Sequence, residues 1–227
     1  MDRAQADLLD LARDAVRCRV CFESLPLQPA FVDLAQRRWV GPRYWSAEPR
    51  IVVILVNPGA GRGWADQRNE KLRRLLREFA SDQTKLDAVL KYQRDDLPNW
   101  GRGRFWRFYI DGVGLDPDQI ALANNAWCAT RGNRYPSRML SECFSRHTAR
   151  LLSTLVPEVV ILAGAGAQRF ARRIERVLPA CNLVETLHYS HRKGLRAQTA
   201  AIQQVKQAIA AATPTRGRLT SASSRPA

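Results

Sequence analysis

The sequence has no apolar run close to the roughly 18 residues that a membrane-spanning helix needs. Its first twenty residues carry acidic groups and no cleavable apolar core, so no secretory signal is predicted. We therefore expect a cytoplasmic protein. In a reducing compartment its five cysteines are expected to be ligands, reactive groups or buried thiols rather than structural disulfides.

Acidic residues are also scarce. The chain has 36 Lys and Arg against 21 Asp and Glu, a formal net charge of +15. Most of the excess is arginine, whose planar fork holds phosphate and stacks on bases. This balance predicts a polyanionic partner, with DNA as the obvious candidate. The alternative is a solvated basic surface without a partner.

Apolar periodicity is missing from the last part of the chain. From Thr213 onwards the sequence is small, polar and basic, and it cannot bury enough surface to offset its ordering entropy. We predict one domain over residues 1–212 and a disordered basic tail over residues 213–227. The domain is expected to be a monomer.

Short aliphatic runs alternate with segments of helical spacing. The runs predict strands over 50–56, 119–126, 158–163 and 183–187, and the spacing predicts helices over 2–17, 70–80, 85–92, 104–113, 137–155 and after Gly164. This alternation predicts a three-layer α/β/α sandwich around a parallel, mostly four-stranded sheet. Ligands of such sheets bind beyond the carboxyl ends of the strands, where Asn57, Asn124, Gly164 and His188 are expected to meet.

Two glycine-rich turns follow predicted strands, but neither completes a nucleotide-binding motif. Residues 59–63 are not followed by Gly-Lys-Ser/Thr, and residues 164–166 lack the third small residue of the dinucleotide fingerprint, since Arg169 stands there. The amides of such a loop can still approach one phosphate closely. A turn without a ligand is the alternative.

Three strand ends carry polar motifs: Asn-Pro-Gly at 57–59, Asn-Asn at 124–125 and His-Tyr-Ser at 188–190. In this order, and over residues 50–196, the sequence resembles the uracil-DNA glycosylase superfamily. The resemblance implies that the sandwich is uracil-DNA glycosylase-like, that Asn57 positions the attacking water and that His188 stabilises the leaving base. It also implies a set of substrate-binding residues, namely Pro58, Gly59, Trp64, Asn124 and Ser190, and DNA contacts from Arg192 and Lys193.

Four cysteines match a more specific pattern. Within residues 124–143 the sequence is similar to the iron–sulfur, thermophile-type branch of the superfamily, which also carries an amino-terminal Cys-x-x-Cys. The resemblance implies a 4Fe-4S cluster held by Cys18, Cys21, Cys128 and Cys143. Zinc is less favoured because Cys128 and Cys143 do not form a second closely spaced pair. Buried free thiols are the further alternative, and Cys181 is left over.

The sequence departs from the superfamily at three places. The Gly-x-Pro-Phe segment that supplies an aromatic ring to stack on uracil is missing after Asn57-Pro58-Gly59, and Trp64 is expected to serve in its place. Tyr189 stands where the His-Pro-Ser motif has proline, and residues 65–104 are longer than the corresponding region of the family. The resemblance implies an enzyme of base excision repair that hydrolyses the N-glycosidic bond of uracil or another deaminated base, and that is nucleoid-associated when on DNA. The alternatives are an inactive nucleic-acid-binding protein of the same fold and a small-molecule or nucleotide hydrolase.

Overall fold

The centre of the molecule is a four-stranded sheet. The computed structural model describes residues 3–59, 67–191 and 194–213. The strands are β1 (Ile51–Leu55), β2 (Ile120–Asn124), β3 (Val159–Ala163) and β4 (Asn182–Thr186), and their order in the sheet is β2-β1-β3-β4. All three pairings are parallel. The predicted α/β fold with a parallel four-stranded sheet is therefore confirmed.

Helices cover both faces of this sheet, which gives the predicted three layers. The helices of the described residues are α1 (Arg3–Arg17), α2 (Val20–Ser24), α3 (Gln67–Ser81), α4 (Leu86–Asp96), α5 (Ser137–Cys143), α6 (Ala149–Leu155), α7 (Ala165–Gln168), α8 (Ala171–Val177) and α9 (Leu195–Ala212). Of these, α3 and α4 pack with α1 in a third apolar cluster. Two π-helical segments accompany them, Trp106–Gly112 and Phe144–Thr148. The helix predicted over 137–155 is thus present as three consecutive segments, α5, the π-helical segment Phe144–Thr148 and α6.

Alternate side chains of β1 enter two separate cores. Val52 and Ile54 pack on the face covered by α1, α5, α6 and α8. Val53 and Leu55 pack on the opposite face, against the π-helix Trp106–Gly112 and α9. Because both faces are covered, β1, β2 and β3 are buried along their whole length, and they read in the sequence as continuous aliphatic runs.

Helix α9 is the element that the sequence analysis missed. Its sequence is rich in Ala and Gln, so its apolar stripe is weak, yet Ala201 and Val205 are buried in the second core. Their spacing of four residues is typical of a helix, and it was the signal from which α9 could have been predicted. The single domain over 1–212 stays a prediction, and the predicted tail beyond Thr213 lies outside the described residues. Among the described helices, none is long and apolar enough to cross a membrane.

The π turn between α5 and α6 buries a histidine. His147 is 3% exposed, its ring lies against Trp127 with centroids 5.2 Å apart, and neither of its nitrogens has a hydrogen-bond partner. Burial lowers the pKa of His147 to about 4, helped by the charges of Arg150 and Arg146. The ring is therefore neutral in the folded protein at neutral pH.

This histidine should make the protein sensitive to acid. Since its pKa is lowered in the folded state, protonation favours unfolding, and the stabilisation present above pH 6.5 is lost as the pH falls towards 4. We expect His147→Phe to retain about 2–3 kcal/mol more of its free energy of unfolding than the wild type on going from pH 7 to pH 4. Urea unfolding at both pH values measures this. At pH 8 the variant should be at least as stable as the wild type, and parallel pH profiles would contradict the assignment.

Candidate active site

A cavity of about 720 Å³ opens at the carboxyl ends of β1, β2 and β4. Segments that are far apart in sequence line it, and the residues used below are Arg38, Asn57, Trp100, Asn133, His188 and Tyr189. A second cavity of about 740 Å³ lies near the amino end of β2, between α4 and residues 39–45. Only the first cavity collects the polar residues that follow the strands, so we take it as the candidate site.

Asn57 faces this cavity with its amide held in place. Its Nδ2 donates to Asn133 Oδ1 at 2.9 Å. Within the described part of the chain nothing donates to Asn57 Oδ1. An amide oriented in this way can accept a hydrogen bond from a water molecule and direct it, although it cannot act as a strong base.

His188 presents a defined tautomer to the same cavity. The backbone N–H of Ser190 donates to His188 Nδ1 at 3.2 Å, and the Ser190 Oγ lies 2.7 Å from the same nitrogen. A backbone N–H can only donate, so Nδ1 accepts and the proton of the neutral ring lies on Nε2. Burial, and secondarily the charge of His191, lowers the pKa of His188 and keeps the ring neutral. His188 Nε2 is therefore a hydrogen-bond donor at neutral pH.

Ser190 and Gly59 were predicted to hold the substrate through phosphate contacts. The Ser190 hydroxyl instead serves His188, as described above. Gly59 is exposed at the cavity rim with a φ of +75°, and a Cβ there would meet nothing within 4 Å. This exposed turn is accessible to an approaching anion, as a phosphate contact needs. Trp64, Arg192 and Lys193 lie outside the described residues.

Gly164 fixes the position of His188 from behind. It follows β3 with a φ of +83°, and a Cβ at this position would lie 2.9 Å from the Cβ of His188. The backbone of the turn before α7 therefore approaches the histidine more closely than any other residue type allows. This is the physical reason for a glycine at this strand end.

Tyr189, which replaces the proline of the family motif, anchors the histidine loop. Its ring packs edge-on against Phe105 with centroids 5.6 Å apart, and it lies 4.2 Å from the ring of His188. A Cβ on Gly101 would come within 2.3 Å of Tyr189 Cε2. The end of the unusually long region 65–104 therefore forms one wall of the cavity and supports the loop that carries His188.

Arg38 is the residue of the site that sequence analysis missed. It is 6% exposed, its Nη2 donates to the carbonyl oxygen of Pro58 at 2.8 Å, and its guanidinium lies over the Trp100 ring at 4.6 Å from the centroid. Burial lowers the pKa of Arg38 to about 10, so the group is charged at neutral pH. In an arginine-rich chain nothing in the sequence distinguishes this arginine from its neighbours.

Asn124, predicted to read the base, is buried behind Arg38. Its side chain is 0% exposed and does not line the cavity. Its hydrogen-bond partners assign the amide orientation: Oδ1 accepts from Arg38 Nε at 2.8 Å, and Nδ2 donates to the backbone oxygen of Asn57 at 3.3 Å. Asn124 therefore positions Arg38 and the strand end, and Arg38 occupies the side of the cavity expected for the amide.

Of the four cysteines of the predicted cluster, Cys21, Cys128 and Cys143 are buried and Cys18 is half-buried. The pKa of Cys128 is raised by burial and then by the charges of Cys143, Cys18 and Cys21. Burial raises the pKa of Cys143 to about 12 and that of Cys21 to about 11, again with contributions from neighbouring thiols. Among the described residues, however, no group of three or more His, Cys, Asp or Glu is close enough to hold a metal ion as arranged. Cys181 lies elsewhere, near Glu158.

No family model matches this chain, and no curated protein matches it in sequence. The resemblance to uracil-DNA glycosylases consequently depends on the motifs and on the geometry described above.

The close approach of Gly164 to His188 can be tested with a matched pair of variants. Gly164 and Gly114 both have a positive φ, so Gly164→Ala and Gly114→Ala should each cost on the order of 1–3 kcal/mol of stability. A Cβ at Gly114 meets nothing within 4 Å. We therefore expect the imidazole NMR signals of His188 to shift in Gly164→Ala and to stay unchanged in Gly114→Ala. Unchanged signals in both would contradict the contact.

Proposed function

We propose that this protein is a DNA glycosylase that removes a deaminated base by hydrolysis of the N-glycosidic bond. The observation that carries the proposal is the pairing of two groups in one cavity. Asn57 offers an amide oxygen with no donor among the described residues, and His188 offers an Nε2–H donor. These are the two groups that base excision needs, one for the water and one for the departing base.

In the proposed reaction the bond between the sugar C1′ and the base nitrogen breaks, and both bonding electrons leave with the base. His188 Nε2 donates a hydrogen bond to a carbonyl oxygen of the base, where this negative charge develops. Water held by Asn57 Oδ1 adds to C1′, and its proton passes to solvent or to the released base. Asn57 contributes orientation rather than proton abstraction, which suffices for an oxocarbenium-like sugar.

We propose that the protein acts on DNA as a monomer in the cytoplasm. The composition and the cavity rim favour DNA as the partner. The net charge of +15 favours a phosphate backbone, and a flipped nucleotide must be drawn from the stack at a cost of a few kcal/mol. The exposed turn at Gly59 and the predicted contacts of Arg192 and Lys193 would hold the phosphates beside the extruded base. Binding dominated by such contacts weakens steeply as the salt concentration rises.

We also propose that Cys18, Cys21, Cys128 and Cys143 hold a 4Fe-4S cluster. Support comes from the burial of Cys21, Cys128 and Cys143 and from an N–H donor already in place, since the Trp127 amide donates to Cys143 Sγ at 3.1 Å. Such hydrogen bonds are typical of cluster-ligating sulfurs. The thiols would have to move together to bind it. The cluster would order α2 and α5 and supply no chemistry to the base-excision step.

Glycosylase assays test the main proposal. Purified protein is incubated with oligonucleotides that carry uracil, hypoxanthine or xanthine, and abasic sites are detected as strand scission after alkali. We expect excision of at least one base, with Asn57→Ala and His188→Ala each lowering the rate about 10²- to 10³-fold, since each removes an interaction made in the transition state.

The control is Thr199→Ala, an exposed position on α9, which should leave the rate unchanged.

A second function is favoured by one observation, the presence of Tyr189 in the histidine motif: an inactive DNA-binding protein of the same fold. Salt-sensitive DNA binding without excision of any base, and unaffected by His188→Ala, would establish that alternative and remove the proposed activity.

Metal analysis of anaerobically purified protein tests the cluster. We expect a brown protein with iron and sulfide in about equal amounts. Cys128→Ser should lose both, because it removes a thiolate ligand. Cys181→Ser serves as the matched control and should retain them, since that thiol lies apart from the other four. Zinc in place of iron, or no metal in the wild type, would contradict the cluster.

A further inference from the structure

Arg38 is a buried cation that lines the cavity. The carboxylate that acts on its pKa, Asp96, forms its ion pair with Arg68 at 2.6 Å instead. Burying a guanidinium is costly unless its charge and its hydrogen-bond donors are satisfied. A ligand that supplies acceptor atoms at Arg38 would therefore complete this site.

Two of the five N–H donors of Arg38 have partners. Nε donates to Asn124 and Nη2 donates once to the Pro58 carbonyl, which leaves the two hydrogens of Nη1 and one of Nη2. Stacking on Trp100 fixes the plane of the group. Nη1, with two remaining hydrogens, and Nη2, with one, are neighbouring nitrogens of the planar group, and their donors match two adjacent acceptor atoms.

We infer that Arg38 reads the bound base and selects a 6-oxopurine, such as hypoxanthine or xanthine, over uracil; the inference depends on the glycosylase function proposed above. The O6 and N7 atoms of a 6-oxopurine are adjacent acceptors, the pattern that arginine binds in a bidentate manner. In uracil each carbonyl oxygen has the N3–H donor beside it. The other neighbour of each oxygen, C5–H beside O4 and the glycosylated N1 beside O2, is not an acceptor either, so uracil leaves one donor of Arg38 unsatisfied.

The cavity and the chemistry are consistent with a purine. Its volume of about 720 Å³ lies in the ordinary range of small-molecule sites, about 300–1,000 Å³, and accommodates a bicyclic base. A cation at O6 and N7 also stabilises the negative charge of the departing base. Guanine shares this edge, but its pair with cytosine is harder to open than a mismatched hypoxanthine, so base extrusion disfavours it.

The test compares excision of hypoxanthine, 7-deazahypoxanthine and uracil from otherwise identical oligonucleotides. The wild type should prefer hypoxanthine to uracil in kcat/KM by at least about tenfold. Arg38→Lys keeps the charge but loses the fork, so this ratio should fall by about tenfold or more. Replacing N7 by carbon should slow the wild type strongly and Arg38→Lys by less, because the group that reads N7 is already absent.

Arg37→Lys is the matched control. Arg37 is equally buried and adjacent in sequence, but it lines the other cavity, so the ratio should remain at the wild-type value. Thermal unfolding of both variants identifies any loss of fold, and the 7-deaza comparison in the wild type needs no variant.

The outcomes separate this inference from the proposed function. Excision of uracil in preference to hypoxanthine, with a ratio unchanged in Arg38→Lys, overturns the reading role of Arg38 and leaves the glycosylase standing. Excision of no base overturns the glycosylase. Calorimetric titration with the free bases then decides the inference separately: binding of hypoxanthine but not of 7-deazahypoxanthine supports it, and equal binding or no binding overturns it.

Discussion

The parallel pairing of β1 with both of its neighbours determines where every candidate functional group lies. Leu55 is in register with Asn124, and Ile54 with Leu162, so the chain leaves β1, β2 and β3 at one edge of the sheet. The pairing of Ala163 with Thr186 brings β4 to the same edge. Polar residues can therefore converge there while the two central strands, β1 and β3, remain fully apolar.

At this edge the polar groups form layers rather than a single ring around the cavity. Asn124 is held by backbone atoms and in turn holds Arg38, while Arg38 holds the Pro58 carbonyl and so the loop that carries Asn57. Ser190 performs the corresponding task for His188. Residues that touch the cavity are thus oriented by residues that do not, which is how a site gains the rigidity that catalysis and base selection require.

Much of this arrangement could be predicted from the sequence, and the exceptions have physical reasons. Continuous aliphatic runs identify strands that are covered on both faces. Because ligands of such sheets bind beyond the carboxyl ends of the strands, the place of Asn57 and His188 in the cavity could also be predicted. Arg38 lies in an irregular segment, so no hydrophobic periodicity indicates that it is buried. Its position is determined by the hydrogen bond to Asn124 and by stacking on Trp100, which are tertiary contacts. The burial of Asn124 could not be predicted for the same reason, since sequence cannot show that another side chain stands in front of it, and its role in base reading stays a prediction.

Tyr189 and Gly101 illustrate how a departure from a motif is accommodated. The tyrosine ring occupies the space that any side chain at position 101 would need, and Gly101 itself has a φ of +57°. Neither position can change alone. A larger residue at 101 would displace the Tyr189 ring, and loss of that ring would leave a void beside His188. In evolutionary terms this contact couples the two positions, since a change at either one alters which residues the other tolerates.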